Sequence, residues 1–110
     1  IPVIIVNNTG NKTGAIRKTP LMRVKDGHNY VLVASKGGAP QHPVWVHNLR
    51  ANGNIEIRDK SDVRPMRARE VEDGMERSRL WSLAVQAFPP YEEYQQRTDR
   101  LIPVFLAEPI

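Results

Sequence analysis

Five consecutive residues, Tyr30-Val31-Leu32-Val33-Ala34, are apolar. Successive side chains of a strand point to opposite faces of its sheet, so a strand of this composition is buried on both sides. Asp26-Gly27, a two-residue hairpin signal, lies just before it. Ahead of that turn the segment 15–25 (AIRKTPLMRVK) alternates weakly. The spacing predicts a hairpin between 15–25 and 28–36, with YVLVA as the centre of its second strand.

The remaining elements follow from their punctuation. The β-branched run 2–8 (PVIIVNN) reads as a first strand. Pro43 can open a helix and Asn52-Gly53 can close it, which leaves about two turns for VWVHNLRA. The segment 54–60 alternates as a half-buried strand, and 63–72 can return antiparallel to it, with Pro65 marking an edge or a bulge. Asp73 and Glu76 have capping-box spacing. Behind them Trp81, Ala84, Val85 and Phe88 fall on one helical face, and Pro89-Pro90 ends that helix. Residues 91–100 read as a short polar helix or turn, and 101–109 as a final apolar strand. There is no repeating strand–helix alternation, so a doubly wound sheet does not fit. The order fits an α+β chain, mainly β, built as one small antiparallel barrel with helices set between strands. No internal repeat, low-complexity segment or linker divides residues 1–110.

Charge is unevenly spread. Residues 1–55 hold seven Lys/Arg and one acid, a balance of +6, while 56–110 hold nine Lys/Arg and eleven acids, a balance of −2. The basic half contains NNTGNKTGAIRKTP (7–20), a glycine-bearing loop without a single acid. Glycines let backbone N–H groups turn toward an anion, and Lys12 and Thr13 add a charge and a hydroxyl. The P-loop spacing is absent. In the predicted hairpin, Ser35 and Lys36 at the end of one strand lie beside Arg17 at the start of the other. Lys12, Arg17 and Lys36 are therefore expected to converge on one anion site.

Other chemistries fare worse. The chain has no cysteine, so disulfides and thiolate chemistry are excluded. Its three histidines lack metal-site spacing, and no metal is expected. No nucleophile elbow or glycosidase carboxylate pair is evident. A pI near 9.8 admits nucleic acid, but aromatics are only 6% of residues and form no stacking platform. Nucleic acid therefore ranks below a phosphorylated cofactor. Trp45 and Asn48 share a face of the short helix, where Trp45 suits a core role as well as a groove. Tyr91 and Tyr94, three apart beside polar neighbours, suit a cover over a flat ligand or plain surface. No apolar stretch approaches the roughly 20 residues of a membrane span, and no signal peptide is visible. The chain begins at Ile1 in an apolar run without methionine, and we expect a native N-terminal segment to precede it.

Taken together, TGNKTGAIRKTPLM, VLVASKGGAPQHPVWVHNLRANGNIEI and FPPYEEYQQRTDRLIPVFLAEP resemble the deazaflavin-dependent nitroreductase family of actinobacteria. The resemblance runs in the same order over nearly the whole chain. It implies an antiparallel split β-barrel, like those that bind flavin mononucleotide, and coenzyme F420 as cofactor. That cofactor is anionic along most of its length. By resemblance, Asn11, Lys12, Thr13 and Arg17 would hold its phosphate and tail. Thr19, Pro20, Leu21 and Met22 would line the side of the ring, and Val33, Ala34, Ser35 and Lys36 would contact it from the partner strand. Trp45 and Asn48 would close the groove. Met22, Phe88, Tyr91 and Tyr94 would border the substrate pocket, where Tyr91 or Ser35 could orient the substrate.

The activity implied is hydride transfer to an electron-poor acceptor such as a quinone or a conjugated nitro compound. Family members that reduce nitroimidazoles often carry tyrosine where this chain has Met22 and Phe88, so quinones are the safer expectation. Flavin mononucleotide in the same fold, a non-enzymatic deazaflavin-binding role and a nucleic-acid-binding role are the alternatives. A cytoplasmic monomer is expected, with contact at the inner membrane face open to a segment ahead of Ile1.

Overall fold

The computed structural model describes residues 2–72 and 74–110. Strand β1 (Val3–Thr9) turns through the glycine loop into β2 (Ile16–Met22). A short β3 (Lys25–Asp26) pairs with β4 (Asn29–Val33), and a 3-10 turn covers Lys36–Gly38. Helix α1 (Val44–Ala51) leads to β5 (Asn54–Asp59) and β6 (Asp62–Glu70). Helices α2 (Met75–Ala87) and α3 (Pro90–Gln96) precede the last strand, β7 (Val104–Pro109). The strands form one antiparallel sheet in the order β2-β1-β5-β6-β7-β4-β3.

The YVLVA reading holds, and the reason is visible in the two sides of β4. Tyr30, Leu32 and Ala34 join Ile4, Val6, Ile57, Met66 and Phe105 inside the curved sheet. Val31 and Val33 face the other way, packing with Val104, Leu106, Leu80 and Ala84 under α2. Strand β7 divides in the same manner, with Phe105 and Ala107 inward and Val104 and Leu106 outward. Each large side chain buried this way contributes about 1.5–3 kcal/mol. Helix α1 plugs the inner face: Trp45 stacks at 5.6 Å on Phe105, with Val46 and Leu49 beside it.

The hairpin expectation is half right. Asp26-Gly27 does turn β3 into β4, with Asp26 opposite Asn29. The long segment before it, however, pairs with β1, placing Arg17 opposite Asn8 and Met22 opposite Val3. The chain leaves β2 at Arg23, whose N–H bonds the Pro2 carbonyl and whose side chain bonds Asp59. Tyr30 donates to the same Asp59 oxygen at 2.7 Å. These bonds hold the crossover, so β2 and β4 meet side by side across the barrel split rather than in a ladder.

Pro65 is an edge residue in the local sense. It lies opposite Glu56 of β5, but β7 ends at Pro109 opposite Met66, so no strand flanks its other side. The face of α2 is rotated from the predicted one. Arg77, Leu80 and Ala84 are its buried residues, while Trp81 and Val85 flank them and Phe88 lies past the helix end. The capping-box expectation at Asp73 lies outside the described residues.

Candidate functional site

The split between β2 and β4 leaves a cavity of about 360 Å³. Thr19, Pro20, Leu21 and Met22 of β2 form one wall, and Val33, Ser35 and Lys36 form the opposite one. Pro43 and Trp45 close its base from the start of α1. Phe88, Tyr91 and Tyr94 cover it from the α2–α3 corner. The three rings brace each other, with Phe88 and Tyr91 edge-on at 5.0 Å and Tyr91 and Tyr94 edge-on at 6.2 Å. All four proposed substrate-pocket residues thus share one mostly apolar cavity.

The corner is held in place by backbone contacts. Lys36, Gly37 and Gly38 are three successive residues of positive φ. Gly38 has no room for a side chain: a Cβ there would lie 2.7 Å from the Tyr94 carbonyl oxygen. Gln95 of α3 donates to the Arg100 carbonyl and accepts from the Ile102 N–H. Arg100 donates to the carbonyls of Ala39, Ala34 and Ser35 at 2.8, 3.2 and 2.7 Å. Three carbonyls of one loop on one guanidinium fix the segment that carries Ser35 and Lys36.

A second cavity of about 490 Å³ lies along the glycine loop. Asn11, Lys12, Thr13 and Arg17 line it from the β1–β2 hairpin, with Val44, His47 and Asn48 of α1 opposite. The loop owes its shape to Gly14 at φ +72 and to bonds from the Gly10 N–H to Ala15 and from the Gly14 N–H to Gly10. Asn48 is buried and donates to Asn8 Oδ1 at 2.8 Å while accepting from the Asn11 N–H at 3.0 Å. Asn8 in turn donates to the Thr19 hydroxyl. This chain of amides ties the loop, α1 and β2 together. Among the described residues Lys12 and Arg17 have no carboxylate partner, although six ion pairs form elsewhere.

Three expectations are corrected by this geometry. The three cations do not share one cavity: Lys12 and Arg17 line the second, Lys36 the first. The hairpin that was to unite them does not form, because β2 pairs with β1. Ala34 is fully buried in the core, its N–H bonded to Pro103 and its carbonyl to Arg100, so it has nothing to offer a ligand. Asn48 lines the groove, and one amide N–H and its carbonyl are held by Asn8 and the Asn11 N–H. Trp45, 7% exposed, is a core residue with one edge on the cavity, so both of its sequence readings apply. Sequence reasoning missed Pro43, Val44 and His47, which only the docking of α1 places here. Sequence reasoning also missed the role of Arg100, which lies within the segment FPPYEEYQQRTDRLIPVFLAEP.

Burial sets the electrostatics. Tyr91 is 4% exposed; loss of water around its hydroxyl, and then Tyr94, push its pKa to about 12. It is a neutral hydrogen-bond donor across the physiological range. Burial, and then the Arg100 charge, lower the pKa of His42. Among the described residues no cluster of His, Asp and Glu could hold a metal ion. Among the described residues no helix is long and apolar enough to cross a membrane.

Comparison with known proteins fits this geometry. A family model described as F420H(2)-dependent quinone reductase matches residues 1–109. An F420H(2)-dependent quinone reductase of Mycobacterium tuberculosis is 40% identical over 109 residues, covering 94% of this chain and 70% of that protein. A solved F420-H2 dependent reductase superposes with a TM-score of 0.91 at 51% identity, covering 97% of this chain and 94% of that one. Another solved chain, described as a domain-swapped dimer, reaches 0.92 at 51% identity, covering 97% and 80%. At 14% identity a heme storage protein of Vibrio cholerae, with a TM-score of 0.70, shares the fold alone. A ring-sized cavity in a split antiparallel barrel, a cation-lined cavity beside it and these matches agree, and the chain belongs to the F420H(2)-dependent quinone reductase family.

Proposed function

We propose that the chain reduces a quinone-like acceptor with coenzyme F420, whose ring would occupy the first cavity and whose phosphate and tail would lie along the second. The carrying observation is the adjacency of the two. Thr19 lines the apolar cavity and Arg17, two residues away on β2, lines the cationic one. A flat, uncharged ring with a long anionic extension fits that pairing. Lys12 and Arg17, without a carboxylate partner among the described residues, suit the extension.

When bound, the reduced deazaflavin supplies a hydride to the electrophilic carbon of the acceptor. The protein's part is placement. Thr19–Met22 and Trp45 hold the ring edge. Phe88, Tyr91 and Tyr94 exclude water and cover the acceptor. Tyr91 or Ser35 donates a hydrogen bond to the acceptor oxygen as negative charge grows there. With its pKa raised to about 12, Tyr91 works there as a neutral hydrogen-bond donor.

Met22 and Phe88 both line the first cavity without a hydroxyl, which favours quinones over nitroimidazoles as acceptors. We place the reaction in the cytoplasm. We keep a monomer as the working assembly; light scattering on the purified chain measures it against the dimer seen in a similar protein.

The test is a fluorescence titration with coenzyme F420 and, in parallel, flavin mononucleotide, followed by turnover with menadione-like quinones. Salt-sensitive binding of the deazaflavin and quinone-dependent oxidation are expected. Binding of flavin mononucleotide alone would overturn the cofactor assignment, and binding of F420 without turnover would overturn the enzymatic one.

A further inference from the structure

A third cavity of about 450 Å³ is lined by Lys36, Gln41, His42, His47 and Arg100, with Val44 and Pro40. It shares Lys36 with the ring-sized cavity and Val44 and His47 with the cationic one, so it adjoins both at the start of α1. Its lining includes two cations, two imidazoles and an amide, but no carboxylate. Arg100 spends its hydrogen bonds on neutral carbonyls and on His42, so its charge stays uncompensated. The carboxylate that most affects His42 is Glu70, and Arg50 holds both of its oxygens at 2.8 and 2.9 Å. Lys36 has no carboxylate partner among the described residues and adopts φ +46, a conformation that costs a non-glycine residue energy and recurs at ligand sites.

We infer that this basin is a second anion-binding site, distinct from the Lys12–Arg17 cavity, which takes a carboxylate or phosphate group against Lys36, His42, His47 and Arg100. An arginine only donates, so His42 Nδ1 accepts at 2.9 Å from Arg100 and the neutral ring carries its proton on Nε2. His42 thus offers a donor without taking on charge. Its lowered pKa agrees, the causes being burial and then Arg100, Arg50 and His47, opposed by Glu70. His47, exposed on α1, lies 6.5 Å from His42 between ring centres.

The site is tested by recording imidazole NMR signals while titrating inorganic phosphate and, separately, a tri-γ-glutamate peptide, at one fixed pH of about 7. His28, in the β3–β4 turn outside all three cavities, is the internal control. Saturable shifts at His42 and His47 but not His28 are expected. Gln41→Glu, an exposed change that places a carboxylate in the basin, should abolish them. Stronger response to the peptide than to phosphate would identify a carboxylate chain as the occupant, and the reverse a phosphate. Parallel, unsaturable drift of all three histidines, or an unchanged response in Gln41→Glu, would overturn the site. Loss of F420 binding with the anion response intact would overturn the proposed function alone.

Discussion

Gly38→Ala isolates the contact that seats the α3 corner on the rest of the site. Gly38 has φ +81, and an added Cβ would lie 2.7 Å from the Tyr94 carbonyl oxygen and 3.0 Å from Arg97 Cβ. Left-handed backbone costs a residue with a Cβ about 1–2 kcal/mol. The Tyr94 carbonyl belongs to a helix, so relief requires all of α3 to retreat by several tenths of an ångström, and we expect about 3 kcal/mol in total. Gly37→Ala is the matched control: φ is +63, and nothing lies within 4 Å of its Cβ. It should lose only the conformational part, about 1 kcal/mol, or roughly 4–8 °C of melting temperature. Gly38→Ala should lose two to three times as much by circular-dichroism melting. It should also weaken deazaflavin binding, because Tyr91 and Tyr94 move with α3, whereas Gly37→Ala should barely affect it. Equal losses in the two variants would show that α3 does not rest on Gly38, and the reasoning would fail.

Other predictions follow from single groups. Lys36→Ala should weaken F420 binding several-fold while Lys60→Ala does not, as read by fluorescence titration. Both lysines have positive φ, +46 and +59, so backbone strain cancels in the comparison, and equal effects would leave only bulk charge. Tyr91→Phe should lower turnover with little change in cofactor affinity. The wild-type pH–rate profile should show no Tyr91 ionisation near pH 10, because burial and then Tyr94 push that group to about 12. The Asp59 carboxyl is raised by burial, but the bonds from Arg23 and Tyr30 outweigh this and leave its pKa lowered from 3.8. A lowered carboxyl stabilises the fold above its unfolded pKa and loses that contribution as pH falls through the folded value. Acid unfolding of the wild type should therefore steepen below about pH 4, and Asp59→Asn, already lacking the charge, should flatten that limb. Met22→Tyr combined with Phe88→Tyr should raise nitroimidazole reduction relative to quinone reduction; an unchanged ratio would remove these two positions as determinants of acceptor choice.

Much of this protein is determined by its sequence alone. The run of apolar residues at 30–34 requires a strand buried on both faces. Asp26-Gly27, Pro43, Asn52-Gly53 and Pro89-Pro90 mark turns and helix ends, because those residues restrict or free the backbone locally. The alternation in 54–60 shows which side of that strand is wet. Most residues that line the ring-sized cavity were named through the family resemblance, not through any spacing. Strand partners were not legible. Residues 15–25 alternate equally well beside β1 or β4, and the choice fell to Arg23, Tyr30 and Asp59, whose bonds cross 29 and 36 positions of chain. That pairing keeps Arg17 beside Asn8 on β1, so Lys36 lines a different cavity from Lys12 and Arg17. The docking of α1 brought Val44 and His47 between cavities that no spacing connects. Local backbone preference is written residue by residue, whereas the identity of a strand's neighbour depends on contacts between distant side chains that form only when the barrel closes.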